Sequence, residues 1–464
     1  MLAKESDMFF SREKELKDIE SILEKGGKAM LLYGKRRVGK TRLILQSFQG
    51  RKAIYFECLR DTLKENVKEF LKVCSSSHID IPSYFHPESF LDVFSYLNSL
   101  GEHICIALDE YSYLYHLNNR ALVDSIFQSV IDRHLSNLSL ILSGSEMGEM
   151  KGLFEQGNPL YGRFALTMHL PELNYMEASQ FYPNKSVYDK VAFYALFGGS
   201  PFVNREINPS LSLKENVIKT FLKEGSEVYN YASNVLISDV ANQMQARRIL
   251  SSLANSKKRH SDLISILDQG KTGVINRALS SLLEAGIIVK TFPINKIDDP
   301  KKARYEIADN PLRFFYSYVY PNKSALAVLG SVAFYEEYIA PTLIHYISYR
   351  YESLVRQYFS LLSQKGLLPG IKNIGVYYYD DPINKTNGEF DVAIERKDGY
   401  CIYEVKYLKG KMKKEDILIE AMQIRKILGL EVSRIGFCAI SGFEETSLDF
   451  DLIPGERLYS SFSK

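Results

Sequence analysis

The stretch Leu31–Thr41, LLYGKRRVGKT, decides the fold. Gly34, four intervening residues, then Gly39, Lys40 and Thr41 give the spacing G-x-x-x-x-G-K-[ST] of a phosphate-binding loop. Glycines let the backbone curl until successive amides point into one anion-sized nest. A nucleotide is therefore assigned to Gly34, Lys35, Arg36, Arg37, Val38, Gly39, Lys40, Thr41 and Arg42. Lys40 would reach the β and γ phosphates and the Thr41 hydroxyl would hold Mg²⁺, so the expected cofactors are ATP and Mg²⁺. A helix starting near Lys40 would add the positive end of its dipole. An apolar run, Met30–Tyr33, precedes the loop, and Leu43, Ile44 and Leu45 follow as a buried helix face. This is the strand–loop–helix context the motif needs.

On either side of the loop the pattern alternates. Phe10–Gly26 reads as an amphipathic helix capped by Ser11. Strands are expected at 28–34, 53–58, 103–109, 138–143 and 164–170, with helical stretches between them. That alternation implies a parallel sheet with helices on both faces. The third strand, HICIALD, runs into Asp109-Glu110. Asp109 would share the Mg²⁺ with Thr41, and Glu110 would polarise the water that attacks the γ phosphate. The plain alternative is an acidic pair ending a strand. Ser143, at the end of the fourth strand, or Ser145 would sense the γ phosphate, and the sequence does not choose between them.

At 464 residues the chain is long enough for about three domains. With 45% hydrophobic and 25% charged residues it reads as folded protein, not disorder. No apolar run is long enough for a membrane span, and MLAKESDMFF lacks a signal-peptide core, so no membrane and a cytoplasmic location are expected. The five cysteines form no C-x-x-C pair and suggest neither zinc nor disulfides.

FFSREKEL, YGKRRVGKT, ALDEYSYL and NPLYGRF together resemble the archaeal-type ATPase family. That family belongs to the additional-strand P-loop NTPases and is similar to the STAND branch of AAA-like proteins. The resemblance implies an α/β core over 1–174 with Arg12 and Glu13 in an arm near the adenine. It also implies Arg163 as a contact to the γ phosphate, with a structural ion pair as its alternative. A helical lid is expected over 175–239, where Gly199-Ser200-Pro201 resembles the glycine-x-proline element of STAND ATPases.

The region 240–323 is the most basic, with fourteen Lys and Arg against seven Asp and Glu over 241–323. Three helical runs, a turn at Gly270, and the strand-like IIVKTF and YEIAD around NKIDDPKKAR look like a winged helix with a basic wing tip. The outward residues of its third helix, Asn276, Arg277, Ser280, Ser281 and Glu284, include one cation. DNA contact and a docking role both remain open. After a linker-like PNKSALAVLGS comes the last domain, 324–464.

There, NGEFDVAIERKDGYCIYEVKY reads as a hairpin that brings Asp391, Glu404 and Lys406 to one edge. The carboxylates would bind metal, and the lysine would stabilise charge at a scissile phosphate. This resembles the PD-(D/E)xK nuclease core, with Glu352 on the preceding helix as a fourth member. The resemblance implies an α/β restriction-endonuclease-like domain that cuts, or merely binds, nucleic acid. The run KGKMKKED is either a phosphate-contacting patch or a solvated helix start. The partners expected are ATP, DNA through the winged helix and last domain, and a further copy of the chain. The two functional expectations are an ATP-hydrolysing switch driving a nuclease-like domain, and a nucleotide-gated scaffold or regulator whose nuclease-like domain is inactive.

Overall fold

The structure is a computed structural model that describes residues 11–239, 243–267, 272–381, 386–427 and 429–460. The expected turn at Gly270 and the start of the first helix at Phe10 lie outside the described residues. The chain divides into two units, Met1–Glu172 and Leu173–Lys464.

The first unit is built on five parallel strands: β1 (Lys28–Tyr33), β2 (Ala53–Glu57), β3 (Ile104–Asp109), β4 (Leu138–Gly144) and β5 (Leu166–His169). Their order is β2-β3-β4-β1-β5. β4 is thus inserted between the strand that feeds the phosphate loop and the strand that ends in Asp109. β3 and β4 are buried at every position, as strands covered on both faces must be, which explains their unbroken apolar sequence. Alternate residues of β1 enter opposite cores. Ala29 and Leu31 join Phe70, Phe94 and Phe127 on one face, while Met30 and Leu32 join Ile19, Leu43 and Ile44 on the other.

The first helix runs Glu13–Leu23. Arg12, not Ser11, is its N-cap, with no side-chain cap bond, because Ser11 adopts a left-handed backbone (φ 51°) one residue earlier.

In the second unit, short helices from Tyr175 to Asp239 are followed by helices Gln243–Leu253, His260–Leu267 and Thr272–Glu284 and an antiparallel pair, β6 (Ile288–Thr291) with β7 (Arg304–Ile307). On the third of these helices Asn276, Arg277, Ser280 and Glu284 are exposed and Ser281 is half-buried. The loop between β6 and β7 is docked at its start and exposed at its tip, where Lys296, Ile297, Asp298, Pro300 and Lys301 face solvent. Ile294 donates its backbone N–H to the Val376 carbonyl (2.7 Å), Asn295 exchanges two hydrogen bonds with the backbone of Tyr378, and Lys302 lies over the Tyr378 ring. PNKSALAVLGS is no linker: Lys323–Phe334 is helical, as its alanine and leucine favour, and is interrupted only at Gly330 (φ 74°, ψ 164°).

A second sheet closes the chain: β8 (Ile371–Asp381), β9 (Thr386–Arg396), β10 (Gly399–Lys406), β11 (Val432–Ala439) and β12 (Asp451–Pro454), ordered β12-β11-β10-β9-β8. β8, β9 and β10 pair antiparallel, and β10, β11 and β12 parallel. The helix Leu343–Gln364 covers one face and Lys414–Arg425 the other, through separate apolar clusters.

Candidate functional site

The loop after β1 is shaped by backbone requirements that its sequence meets. Gly39 takes φ 96° and Arg37 φ 68°, two left-handed steps that turn the chain into the helix Lys40–Ser47. Gly34 is required for a different reason: a Cβ there would stand 2.3 Å from the Leu170 carbonyl oxygen. Val38 is buried in the core beneath. The loop's side chains then converge. Lys40 is buried and donates to the carbonyls of Gly34 (2.9 Å) and Lys35 (3.1 Å). Burial lowers its ammonium pKa, and the charges of Glu110 and Asp109 oppose that shift.

The Thr41 hydroxyl donates to Asp109 Oδ2 at 2.7 Å, and the Tyr55 hydroxyl donates to the same oxygen at 2.7 Å. Burial and the adjacent carboxylate push the Tyr55 phenol up, so it stays a donor. Glu110 takes a left-handed backbone (φ 51°), and its Oε2 accepts from the Ser145 N–H (3.1 Å) and hydroxyl (2.8 Å). Burial raises its carboxyl pKa; Lys40 and Ser145 pull the other way. Arg36 reaches Ser145 Oγ (3.3 Å) and the Tyr113 hydroxyl (2.9 Å). Lys40, Thr41, Asp109, Glu110, Ser145 and Arg36 therefore meet at the carboxyl ends of β1, β3 and β4, where open α/β sheets bind ligands.

The two serines part company here. Ser145 is engaged, whereas the Ser143 hydroxyl is buried with no hydrogen-bond partner. An orphaned buried hydroxyl between β1 and β3, and a threonine paired with a strand-terminal aspartate beside a buried lysine, suit a magnesium nucleotide. Lys40 and the loop amides would hold the phosphates, and Thr41 and Asp109 the metal, which would screen phosphate charge.

Arg163 is placed in the ion-pair arrangement: Nε donates to Asp132 (3.0 Å) and Nη1 to the Pro159 carbonyl (2.8 Å). Arg12 is buried, pairing with Glu15 (3.0 Å) and donating to the Pro171 carbonyl. Arg42 is exposed. Arg12 draws attention to the segment Leu170–Glu172, by which the chain leaves the first unit. Lys35 pairs with Glu172 (3.5 Å), and Leu170 donates to the Tyr33 carbonyl (2.7 Å). The phosphate loop thus grips the exit. On the second unit's side, Leu173 bonds to Gly199 (2.9 Å), where a Cβ would stand 1.9 Å from the Leu173 carbonyl.

In the second unit, β9 and β10 pair with Val392 opposite Tyr403, so extending the register places Asp391 beside Glu404. Lys406 Nζ donates to Glu404 (2.7 Å) and to Glu420 (3.1 Å). Burial raises the Glu404 carboxyl pKa, whereas its two carboxylates outweigh the burial of Lys406 and raise the ammonium's. Glu352, on the helix Leu343–Gln364, is pushed up to about 8 by burial and then by Asp391. The structure thus brings together Glu352, with its raised carboxyl pKa, Asp391, and a lysine bracketed by carboxylates. Among the described residues, no three His, Cys, Asp or Glu side chains are grouped to hold a metal ion.

Sequence reasoning missed Tyr55, Tyr113 and Glu420. Tyr55 shares a face with Asp109 only because Glu57 pairs with Asp109 in the β2–β3 register, which no local pattern reveals. Glu420 sits on a helix whose face toward β10 is a tertiary fact.

The inserted β4 and a P-loop lysine and threonine facing a strand-terminal aspartate define a P-loop NTPase core. Residues 9–203 match the family of ATPase domains predominantly from Archaea, and residues 315–418 match a family of archaeal and bacterial proteins of unknown function. The chain carries an archaeal-type P-loop ATPase domain. It is 26% identical over 366 residues to an uncharacterised protein of Methanocaldococcus jannaschii, covering 78% of this chain and 80% of that one. The fold is similar to that of a Walker-type ATPase of Pyrococcus abyssi (TM-score 0.50, 21% identity, 66% of this chain and 96% of that one). The ORC2 protein of Aeropyrum pernix, in ADPNP and ADP complexes, scores lower (TM-score 0.48, 12% identity, 69% and 98%). No described helix is long and apolar enough to cross a membrane.

Proposed function

We propose that the chain is a Mg-dependent ATP-hydrolysing switch whose second unit acts on nucleic acid. The observation that carries the switch is the grip of the phosphate loop on the exit segment. Lys35 belongs to the nest that would receive phosphate and is also the ion-pair partner of Glu172, the last residue of the first unit. A phosphate that draws Lys35 into the nest competes with that pair and loosens the exit. Hydrolysis falls to Glu110, whose Oε2 is held by Ser145 and whose carboxylate would take a proton from water. Its burial-raised pKa favours accepting that proton.

In this reading 1–174 is the motor, 175–239 the lid, 240–323 a winged helix used for docking, and 324–464 a PD-(D/E)xK-like domain. The test is single-turnover phosphate release with and without Mg²⁺, beside nucleotide affinity, for wild type, Lys40→Ala and Glu110→Gln. Tight binding with equally negligible turnover in wild type and Glu110→Gln would leave a nucleotide-gated scaffold instead.

A second reading, favoured by the Lys406 bracket, is that the last domain binds nucleic acid without cutting it. Incubating DNA and RNA with wild type and Glu404→Ala in Mg²⁺ or Mn²⁺ separates the two. Cleavage lost only in the variant supports a nuclease, and none in either supports binding alone.

A further inference from the structure

Between the two-stranded sheet and the helix Leu343–Gln364 lies a cleft of about 390 Å³. Its walls follow from register. Lys258 and Tyr305 exchange both backbone hydrogen bonds (3.1 and 2.8 Å), which adds the segment before the helix His260–Leu267 to the edge of β7. One step along that pairing, Lys257 stands opposite Glu306, and Arg304 shares the face of Glu306 because it is two residues away. Tyr305 and Ile307, of the other parity, are in the core. Lys257, Arg304 and Glu306 therefore face the cleft together, with Arg356, Ser353 and Thr291 completing it.

The cations exceed what the structure uses. Glu306 is already paired with Arg313 (3.0 Å) and Arg350 (3.5 Å). Lys257 makes no hydrogen bond or ion pair within 4 Å among the described residues, and acts on Glu306 through space as the strongest of the charges around it. Arg304 reaches Glu389 at 3.6 Å through one nitrogen, while Nη1 is buried without a partner. Lys257 is half-buried, and that burial lowers its pKa against the pull of Glu306. A buried donor left over, as Arg304 Nη1 is, is costly unless a ligand satisfies it. The cleft also leads toward the candidate hairpin site, since Arg356 donates to the Asp391 carbonyl (2.5 Å).

We infer that this cleft is a phosphate site for a nucleic-acid strand, with Lys257 and Arg304 as its ligands. The inference rests on the reading that the second unit engages nucleic acid, and it names which groups hold the backbone.

The experiment measures binding of labelled single-stranded DNA, duplex DNA and RNA to the full chain across a salt series, in EDTA without nucleotide. The proteins are wild type, Lys257→Gln, Arg304→Gln, the double variant and Lys257→Arg. The double variant should bind on the order of tenfold more weakly, and the slope of log K against log salt should fall by about 0.7 to 0.9 for each cation removed. Lys257→Arg should keep the wild-type slope.

A folding control separates a structural role. If Lys257 served only to neutralise Glu306, Lys257→Met would lower Tm and leave the salt slope unchanged, which would overturn the inference. An unbound phosphate ligand predicts a Tm that holds or rises. Wild-type binding with unaltered slopes in all variants overturns this site alone. Absence of any oligonucleotide binding by wild type overturns the nucleic-acid reading beneath it. Displacement chemistry decides the source: if AMP or inorganic phosphate binds through Lys257 while no strand does, the ligand is a small phosphate compound and the inference fails.

Discussion

The phosphate loop and the β9–β10 hairpin both gather a lysine and acidic side chains, yet they are constructed in opposite ways. Around Lys40 the ammonium is capped by carbonyls of its own loop, Asp109 is held by Thr41 and Tyr55, and a buried serine hydroxyl is left over. Around Lys406 the ammonium is taken up by Glu404 and Glu420, and burial raises the Glu352 carboxyl pKa to about 8. The first arrangement keeps donors for a polyanion. The second has satisfied its charges internally. A site prepared for a ligand shows surplus, and a site at rest shows balance.

The largest expected effect breaks the contrast at its stronger end. Lys40→Ala should lower ATP turnover on the order of a hundredfold or more, measured as phosphate release. If turnover persists, the loop is not the motor. Glu110→Gln should lower turnover by about 10² to 10⁴ while nucleotide affinity, read by fluorescent analogue binding, stays within a few-fold. Gly34→Ala should come next. The added Cβ meets the Leu170 carbonyl, and overpacking of this kind costs about 1–3 kcal/mol, visible in urea denaturation together with weakened nucleotide binding.

At the balanced site, the expected effect is one of pH. Glu352 in the folded chain holds its proton up to about 8, well above the unfolded value near 4.3. Its contribution is present below the unfolded value and is lost as pH rises toward 8. Tm should therefore fall between pH 5 and 9, and Glu352→Gln should flatten that fall. An unchanged slope in the variant would mean that the carboxyl titrates normally. The smallest effect concerns Ser145→Ala. It removes one of two bonds to Glu110 and should change basal turnover only a few-fold, since the Ser145 N–H remains.

The same contrast explains what could be read in advance. The phosphate loop occupies contiguous positions, so its chemistry and its backbone demands at Gly34 and Gly39 are written in one stretch. The parallel strands were legible because burial on both faces leaves an apolar run. The hairpin was legible for the analogous reason, since Lys397-Asp398-Gly399 lies between two runs of matched parity. Glu420, Tyr55 and the Lys257–Arg304 pair were not, because each acquires its neighbours through a register or a helix face set by distant residues. The loop between β6 and β7 was legible only in part: its charged residues Lys296, Asp298 and Lys301 are exposed as composition suggests, but the burial of Ile294 and its backbone bond to Val376 of β8 depend on a distant strand.

That pairing has a consequence for how the sheet tolerates change. β8 is an outermost strand, and Ile294 and Asn295 fasten a hem along it where its free amides would otherwise recruit a stranger. Gly375 allows the fastening, since any larger residue there would collide with the Ile294 side chain. Lengthening or shuffling residues 293–296 would unpick the hem, and the first symptom would be self-association through the bared strand rather than a fault in either chemical centre.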